Sequence, residues 1–393
     1  MKFIDLCCGV GGIRAGFEAA GWENVLSVDI NSDAIELHKK AFGSGEVEDI
    51  QNLTGRGLPK FDVLASGFPC QPFSSSGNRK GFKHNSGNVL ENLLRIIANT
   101  SPSYIVLENV QGILSNSYGY TMAKVLHGLT NAGYQVSWLL FNSLWLGIPQ
   151  ERKRLLILAE LPKKNSPFSK DLFGDVCFDI SSQLPLKKLI PHSGIAFGNP
   201  NFGSLEDVIL KRKPRVGRKK PEPVTPFLTA GIAENDSFAT WKLSGNCEPD
   251  NNMLGSICCP EFYSSNDVRS IRYWGHSGIT KFYIKDKPWA HSIGTNIGAA
   301  PTFAVEMKKI KNKNDREKVL QYSNWNRVDS KYFIFRLSPS RACLLFGNNE
   351  IKEIKNAFQN SGVSLTKKYV LLGNMVVPLK FKKLAQWLSN TNF

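Results

Sequence analysis

Six short apolar runs separated by helical patterns occupy the first 160 residues, and this alternation restricts the fold more than any other feature of the chain. The first run is Lys2–Leu6, and the others cover residues 25–28, 61–65, 104–107, 135–141 and 155–159. Between them, helical spacing appears over 13–20 (stopped by Gly21), 33–42, 90–98 and 122–130, with Asn31 or Ser32 placed to cap the second stretch. Strands alternating with helices predict βαβ units and a mostly parallel sheet covered on both faces. Ligands of such sheets sit beyond the carboxyl ends of the strands. Asp5, Asp29, Cys70 and Glu108 all stand at or just after an apolar run, so one sheet edge should collect the polar chemistry.

Beyond about residue 161 the texture changes. Pro, Gly, Ser and Asn become frequent, and regular periodicity is hard to find until Leu344. A length of 393 residues predicts two domains, or one carrying an insertion. With 42% hydrophobic and 21% charged residues, collagen-like and disordered chains are excluded. The net charge of +16 points to an anionic partner, nucleic acid or a membrane surface. Between residues 161 and 335 there are 26 basic and 17 acidic side chains, densest at Lys211-Arg212-Lys213-Pro214-Arg215 and Arg218-Lys219-Lys220. That run is either a solvated loop or a nucleic-acid contact. The interleaved Arg269, Arg272-Tyr273-Trp274, Lys281-Phe282-Tyr283 and Trp289 are either small-domain core or a base-stacking surface.

No run of about 18 apolar residues is present, so no membrane span is expected. The N-terminus lacks the apolar core of a secretion signal, and a cytoplasmic location is expected. The eight cysteines include no C-x-x-C pair, which argues against a zinc site and for free thiols; no metal is expected.

Three stretches carry chemistry. Gly9-x-Gly11-Gly12 follows the first strand but lacks the G-x-G-x-x-G register of a dinucleotide site. Its glycines let backbone approach a ligand, and the preceding Asp5 suits a cation such as the amino group and sulfonium of S-adenosylmethionine. Asp29 either takes ribose hydroxyls or caps the next helix. Gly67-Phe68-Pro69-Cys70-Gln71-Pro72-Phe73-Ser74 brackets one thiol with two prolines, which stiffen the peptide that presents it. A reactive thiolate needs a nearby cation, for which Arg152 and Arg154 are candidates; both also fit a charged start to a strand. Glu108 closes a buried strand, where a carboxyl is either hydrogen-bonded to backbone or protonated and able to donate.

Taken together these residues resemble the DNA (cytosine-5) methyltransferase family across most of the chain apart from roughly 175–335. Asp5-Leu6-Cys7-Cys8-Gly9-Val10-Gly11-Gly12 is similar to the family's first motif, with Cys7 where an aromatic usually stands. Asp29 and Ile30 match the ribose-binding acid and the adenine-stacking position, often tryptophan. Asp49-Ile50 resembles the adenine-contacting motif, with Glu48 where glycine often precedes it. Gly67-Phe68-Pro69-Cys70-Gln71 matches the nucleophile loop, Glu108-Asn109-Val110 the ENV motif, and Gln150-x-Arg152-x-Arg154 the QxRxR motif. Arg336-Leu337-Ser338-Pro339-Ser340-Arg341 resembles the ninth motif, with Pro339 unusual, and Gly373-Asn374-Met375-Val376-Val377-Pro378 the tenth.

The resemblance implies a class I S-adenosylmethionine-dependent methyltransferase, with a Rossmann-like α/β sheet and a smaller, irregular, mostly β target-recognition domain. The expected division is 1–175 for catalysis and cofactor, 176–350 for target recognition, and 351–393 as a return segment completing the first domain. It implies cofactor contacts from Asp5, Leu6, Cys7, Gly9, Gly11, Gly12, Asp29, Ile30, Asp49, Ile50, Pro69, Asn374 and Val376. Cys70 becomes the nucleophile that adds to cytosine C6. Glu108 holds N3 and the exocyclic amine, Arg152 favours the thiolate and contacts the base carbonyl, and Arg154 assists. Such chemistry requires the target base to be flipped out of double-stranded DNA. The polar segment after the nucleophile, with Ser74, Arg79 and Lys80, then closes over it, and Arg269, Arg272 and Lys281 are picked as further DNA contacts. The expected protein is a monomer that modifies DNA in a restriction-modification pair, with a cognate endonuclease encoded nearby. The alternative is a tRNA cytosine-5 methyltransferase on the same fold. A non-catalytic DNA-binding module and a Rossmann oxidoreductase are further alternatives, opposed by the intact Cys70, Glu108 and Arg152 and by the glycine register.

Overall fold

A computed structural model describes residues 1–69, 87–114, 120–161, 177–179, 193–197, 257–258, 268–276, 279–284, 290–293, 301–310, 312–328, 331–347 and 349–391. In chain order come β1 (Lys2–Leu6), α1 (Gly12–Glu18), β2 (Glu23–Asp29), α2 (Ser32–Phe42), β3 (Glu46–Val47), β4 (Val63–Ser66), α3 (Gly87–Thr100), β5 (Tyr104–Val110), α4 (Tyr120–Asn131), β6 (Gln135–Asn142) and β7 (Lys153–Glu160). Their strands, with β8 (Cys177–Asp179) and β9 (Ser193–Phe197), form one sheet in the order β3-β2-β1-β4-β5-β7-β6-β9-β8.

The strands from β3 to β5 pair in parallel, as the alternation predicts. The far half departs from that expectation: β7 is antiparallel to both β5 and β6, and β6 is antiparallel to β9. The reason is the short link over 143–152 between β6 and β7. A parallel crossover needs a dozen or more residues, so the chain turns straight back and β7 inserts between β5 and β6.

Consecutive residues of the central strands go to opposite cores, as a period of two requires. Ile4, Leu64, Ile105, Leu107, Leu155 and Ile157 pack with α3 and α4 residues such as Leu93, Ile97, Val125 and Leu129. Phe3, Val63, Ala65, Tyr104, Val106, Leu156 and Leu158 pack with Ile13 and Phe17 of α1 and with Phe381, Leu384 and Leu388 near the C-terminus. Burial on both faces explains why these strands read as unbroken apolar runs. The C-terminal residues reach this face because Gly16 lets α1 approach closely: a Cβ there would collide with the Pro378 carbonyl oxygen. Phe17 and Phe381 meet edge to face with ring centroids 5.7 Å apart.

A second, antiparallel sheet forms from β10 (Val268–His276), β11 (Ile279–Ile284), β12 (Thr302–Glu306), β13 (Ser323–Val328) and β14 (Tyr332–Leu337), in the order β11-β10-β12-β14-β13. Regular structure therefore exists where periodicity was hard to read. Phe303 and Val305 of β12 face a large core while the intervening Ala304 packs against Ile271 and Ile334, so β12 shows no polar-apolar alternation. Between and after these strands come the helices α5 (Lys313–Leu320), α6 (Pro339–Ala342), α7 (Lys352–Asn360), α8 (Leu365–Asn374) and α9 (Pro378–Thr391). The large core joins Phe303, Phe333 and Phe335 of this sheet to Ile354 and Phe358 of α7, Tyr369 and Leu372 of α8, and Ala34 and Leu37 of α2. No helix among the described residues is long and apolar enough to cross a membrane.

Candidate active site

The loop after β1 is shaped by its neighbours on β2. Cys8 donates its amide to the Val28 carbonyl at 3.0 Å, and Gly11 donates to the Cys8 carbonyl at 3.0 Å, closing a tight turn that starts α1. Gly11 adopts a φ of +91°, and a Cβ there would strike the Phe42 ring, so only glycine fits. Cys7 carries a φ of 58° without being glycine, a strain that clusters at functional loops. Burial pushes its thiol up, so Cys7 stays protonated and acts as packing.

Asp29 does not cap α2. Its Oδ2 accepts the Gly9 amide and its Oδ1 the Asn31 amide, both at 2.8 Å, while the Asn31 side chain accepts from Ala34 and caps the helix. Asp29 thus ties the end of β2 to the glycine loop, and burial raises its carboxyl pKa. Asp5 is fully buried, and neither carboxyl oxygen has a hydrogen-bond partner among the described residues. Burial first, and the Asp29 charge second, hold its pKa well above the ordinary value; the Arg14 charge and main chain oppose that shift without satisfying either oxygen. An orphaned buried carboxyl is costly unless a ligand supplies donors. Ile30, immediately after Asp29, leaves 68% of its surface exposed, and a Cβ on Gly9 would meet open space. Two acids, an apolar exposed side chain and bare backbone fit a cationic ligand with an aromatic ring, and S-adenosylmethionine has both. Asp49 accepts the Gln51 amide at 2.9 Å, and Ile50 is buried in the adjoining core beside Leu6.

Behind the loop lies a network that sequence reasoning missed. His38 on α2 contacts the Gly9 carbonyl through Nδ1 and Arg14 Nη1 through Nε2, each at 3.3 Å. A carbonyl only accepts and a guanidinium only donates, so this geometry selects the neutral ring with its proton on Nδ1. Burial, aided by the Arg14 charge, pushes His38 down to about 4. Arg14 also donates to Glu18 Oε1 at 2.7 Å and to Ser44 Oγ at 2.8 Å.

The second cluster stands at the carboxyl ends of β4 and β5 and the start of β7. Asn109 donates its side-chain amide to the Phe68 carbonyl at 3.2 Å, fixing the backbone that leads through half-buried Pro69. Cys70, Ser74, Arg79 and Lys80 lie outside the described residues. The neighbouring Glu108 is buried, and its Oε1 lies 3.7 Å from Arg154 Nε and 3.4 Å from Lys380 Nζ.

Arg152 is placed differently from the expectation that it reaches a base. Its side chain is 2% exposed; Nη2 donates to the Gly373 and Met375 carbonyls at 2.9 and 2.8 Å, and Nη1 to the Ile293 carbonyl at 3.1 Å. A guanidinium used this way staples the β7 start to the segment after α8 and to residues 290–293. Gln150 works beside it, donating to the Leu345 carbonyl at 2.9 Å, while across the same seam the Glu151 amide donates to the Ala290 carbonyl and the Ala290 amide to the Pro149 carbonyl. Arg154, rather than Arg152, is the arginine beside Glu108.

Val376 sits where the chain's two ends meet. A Cβ on Gly12 would lie 2.7 Å from Val376 Cγ2 and 2.8 Å from its carbonyl oxygen, so the glycine loop and this segment interlock. Asn374 is exposed at the end of α8. In the second sheet, Arg272 pairs with Tyr283 and Lys281 with Trp274, which gives these four positions one strand parity; Arg269, paired with Ala304, has the other. The three basic positions therefore do not alternate onto a common face.

The sequence matches the C-5 cytosine-specific DNA methylase family over residues 1–388. The Type II methyltransferase M.BanI of Aneurinibacillus aneurinilyticus is 39% identical over 170 residues, which cover 42% of this chain and 39% of that protein. The Type II methyltransferase M.BsuFI of Bacillus subtilis is 38% identical over 162 residues, covering 41% and 40%. The chain thus spans about two fifths of the length of these curated relatives. Among solved structures, the S. pombe Dnmt2 methyltransferase superposes with a TM-score of 0.54 at 19% identity, covering 100% of both chains. The Entamoeba histolytica methyltransferase EhMeth does so with a TM-score of 0.54 at 14% identity, covering 100% of this chain and 99% of its own. These likenesses show the fold, a class I methyltransferase sheet with a Rossmann-like parallel core. With the glycine loop, the Glu108 cluster and the interlocked C-terminal segment all in one molecule, the chain belongs to the C-5 cytosine-specific DNA methylase family.

Proposed function

We propose that this protein methylates C5 of cytosine in duplex DNA at a specific sequence, as the modification partner of a restriction endonuclease. The observation that carries the reading is the pairing of Glu108 with Asn109 at the end of β5. One places a buried carboxyl at the ligand edge, and the other holds the peptide two residues before Cys70. S-Adenosylmethionine, when bound, supplies the methyl group. Asp5 is the acceptor for its amino group, Asp29 for its ribose, and Ile30 and Ile50 flank its adenine; Leu6, Cys7, Gly9, Gly11, Gly12, Asp49, Pro69, Asn374 and Val376 complete the proposed cofactor site.

Cytosine C5 is a weak nucleophile. Addition of the Cys70 thiolate to C6 makes C5 enamine-like, which splits one difficult step into easier ones. Glu108 engages N3 and the exocyclic amine and passes N3 a proton as charge develops there. Arg154 takes the place of the cation beside the base, while Arg152 holds the wall of the site. Loss of the C5 proton then lets Cys70 leave by elimination. The ring is out of reach inside a duplex, so the nucleotide is flipped out at a cost of a few kcal/mol. Ser74, Arg79 and Lys80 belong to the segment we propose to close over it. The second sheet, with Arg269, Arg272 and Lys281, is the proposed target-reading side, where phosphate contacts supply affinity and base edges supply specificity.

The test is transfer of labelled methyl groups from S-adenosylmethionine to unmethylated duplex DNA, run beside tRNA. Transfer to DNA that vanishes in Cys70→Ala, with a covalent adduct on 5-fluorocytosine DNA, is the expected result. Transfer that persists in the variant rejects the covalent mechanism, and preferential transfer to tRNA rejects the substrate.

A further inference from the structure

Lys380 is the feature of this site that no motif foretells. It is the third residue of α9, and its side chain is only 2% exposed. Two other lysines follow it closely: Lys382 keeps 28% of its side chain exposed and pairs with Glu350 at 2.9 Å, as a surface lysine does. Lys380 instead points its ammonium at a buried carboxyl on another element, donating to Oε1 of Glu108 at 3.4 Å. The charged groups around it are Glu108 from β5, Arg154 from β7 and Arg152 just before β7, and its Nζ lies 4.7 Å from the centroid of the Phe381 ring. Burying an ammonium is costly unless a partner offsets it. A structural role would be met more cheaply by an apolar residue at this position, since α9 already anchors through Phe381, Leu384 and Leu388.

The geometry at the carboxyl explains what the charge does. Both cations, Lys380 and Arg154, approach the same oxygen, Oε1. Among the described residues no hydrogen bond or ion pair falls on Oε2 of Glu108. A carboxyl gripped by one oxygen has its plane and rotamer fixed, and its other oxygen is left for a ligand. We propose that Lys380 is a positioning residue for methyl transfer: by holding Oε1 of Glu108 together with Arg154, it presents Oε2 to the edge of the flipped cytosine. The proposal rests on the reading of Glu108 as the base-binding carboxyl.

The role depends on the lysine's charge, and burial pushes that ammonium down to about 8, against the pull of Glu108. The grip therefore weakens as pH rises through about 8, when the ammonium becomes an amine and the charge-assisted contact is lost. Arginine at this position keeps its charge throughout that range.

Single-turnover methyl transfer to duplex DNA, followed from pH 6.5 to 9.5, tests this in wild-type protein, Lys380→Arg and Lys380→Met, with cofactor and DNA affinities measured alongside. The wild-type rate should fall above about pH 8. Lys380→Arg should keep a rate within several-fold of wild type at pH 7.5 and lose the alkaline fall. Lys380→Met should slow transfer at least tenfold while both affinities stay within about threefold, a split that a merely structural residue would not give. A Lys380→Met rate within twofold of wild type overturns the proposal. An alkaline limb unchanged in Lys380→Arg, or the absence of any such limb in the wild-type protein, overturns it even where the methionine variant fails to fold. Wild-type protein that methylates no cytosine substrate instead sinks the reading of the enzyme, and the two failures are told apart by that control.

Discussion

Acidification should loosen this protein through His38, and the size of the effect follows from its surroundings. The ring accepts from Arg14 at Nε2 and meets the Gly9 carbonyl with Nδ1, both at 3.3 Å, so a second proton would leave Nε2–H facing a guanidinium. Burial and the Arg14 charge hold the folded ring down to about 4, against the ordinary imidazole value of 6.5. Because the folded value is depressed, the unfolded chain binds this proton first, and stability present above about pH 6.5 is lost as pH falls toward 4. At pH 4.5 the unfolded imidazole is stabilised roughly a hundredfold by protonation and the folded one hardly at all, a difference of about 2.5 kcal/mol. The assay is urea unfolding of wild-type protein and His38→Gln at pH 7 and pH 4.5. The difference between their pH slopes isolates His38 from the carboxylates that also titrate. The variant should lose about 2 kcal/mol less than wild type over this interval. Equal losses in the two proteins would refute the claim that His38 is held neutral.

The two arginines of the β7 start should separate cleanly. Arg152→Met should cost about 3–5 kcal/mol in thermal or urea unfolding, because several buried carbonyls lose a charged donor. Arg154→Met, at a half-buried position, should cost about 1 kcal/mol or less yet slow single-turnover transfer at least tenfold; the opposite ordering would return the base-contacting role to Arg152. Gly12→Ala should destabilise the protein by about 1–3 kcal/mol, since its Cβ would be forced onto the Val376 backbone, and differential scanning fluorimetry with and without cofactor reads both the loss and any weakened binding. An unchanged melting temperature would mean that the two ends of the chain do not interlock there.

Local patterns gave up much of this molecule. Alternating apolar runs predicted the parallel half of the first sheet, and unbroken apolar stretches correctly implied burial on both faces. The glycine loop, the acid ending β2 and the glutamate ending β5 were legible because strand ends and turn residues are set by neighbours a few positions away. Four features were not. The antiparallel return of β7 depends on a connection too short for a crossover. The choice between Arg152 and Arg154 depends on which guanidinium meets the carbonyls of Gly373, Met375 and Ile293, more than a hundred residues distant. His38 belongs to no motif, and its role exists only because Arg14 and Gly9 close around it. No local pattern separates Lys380 from Lys382 and Lys383, and only the packing of α9 on α1 brings it to Glu108. A sequence states what a side chain is and how its neighbours repeat. Whether a charge is buried, and against which partner, is decided only when distant segments share one core, because the cost of desolvation and the gain of pairing both depend on contacts that no local window contains.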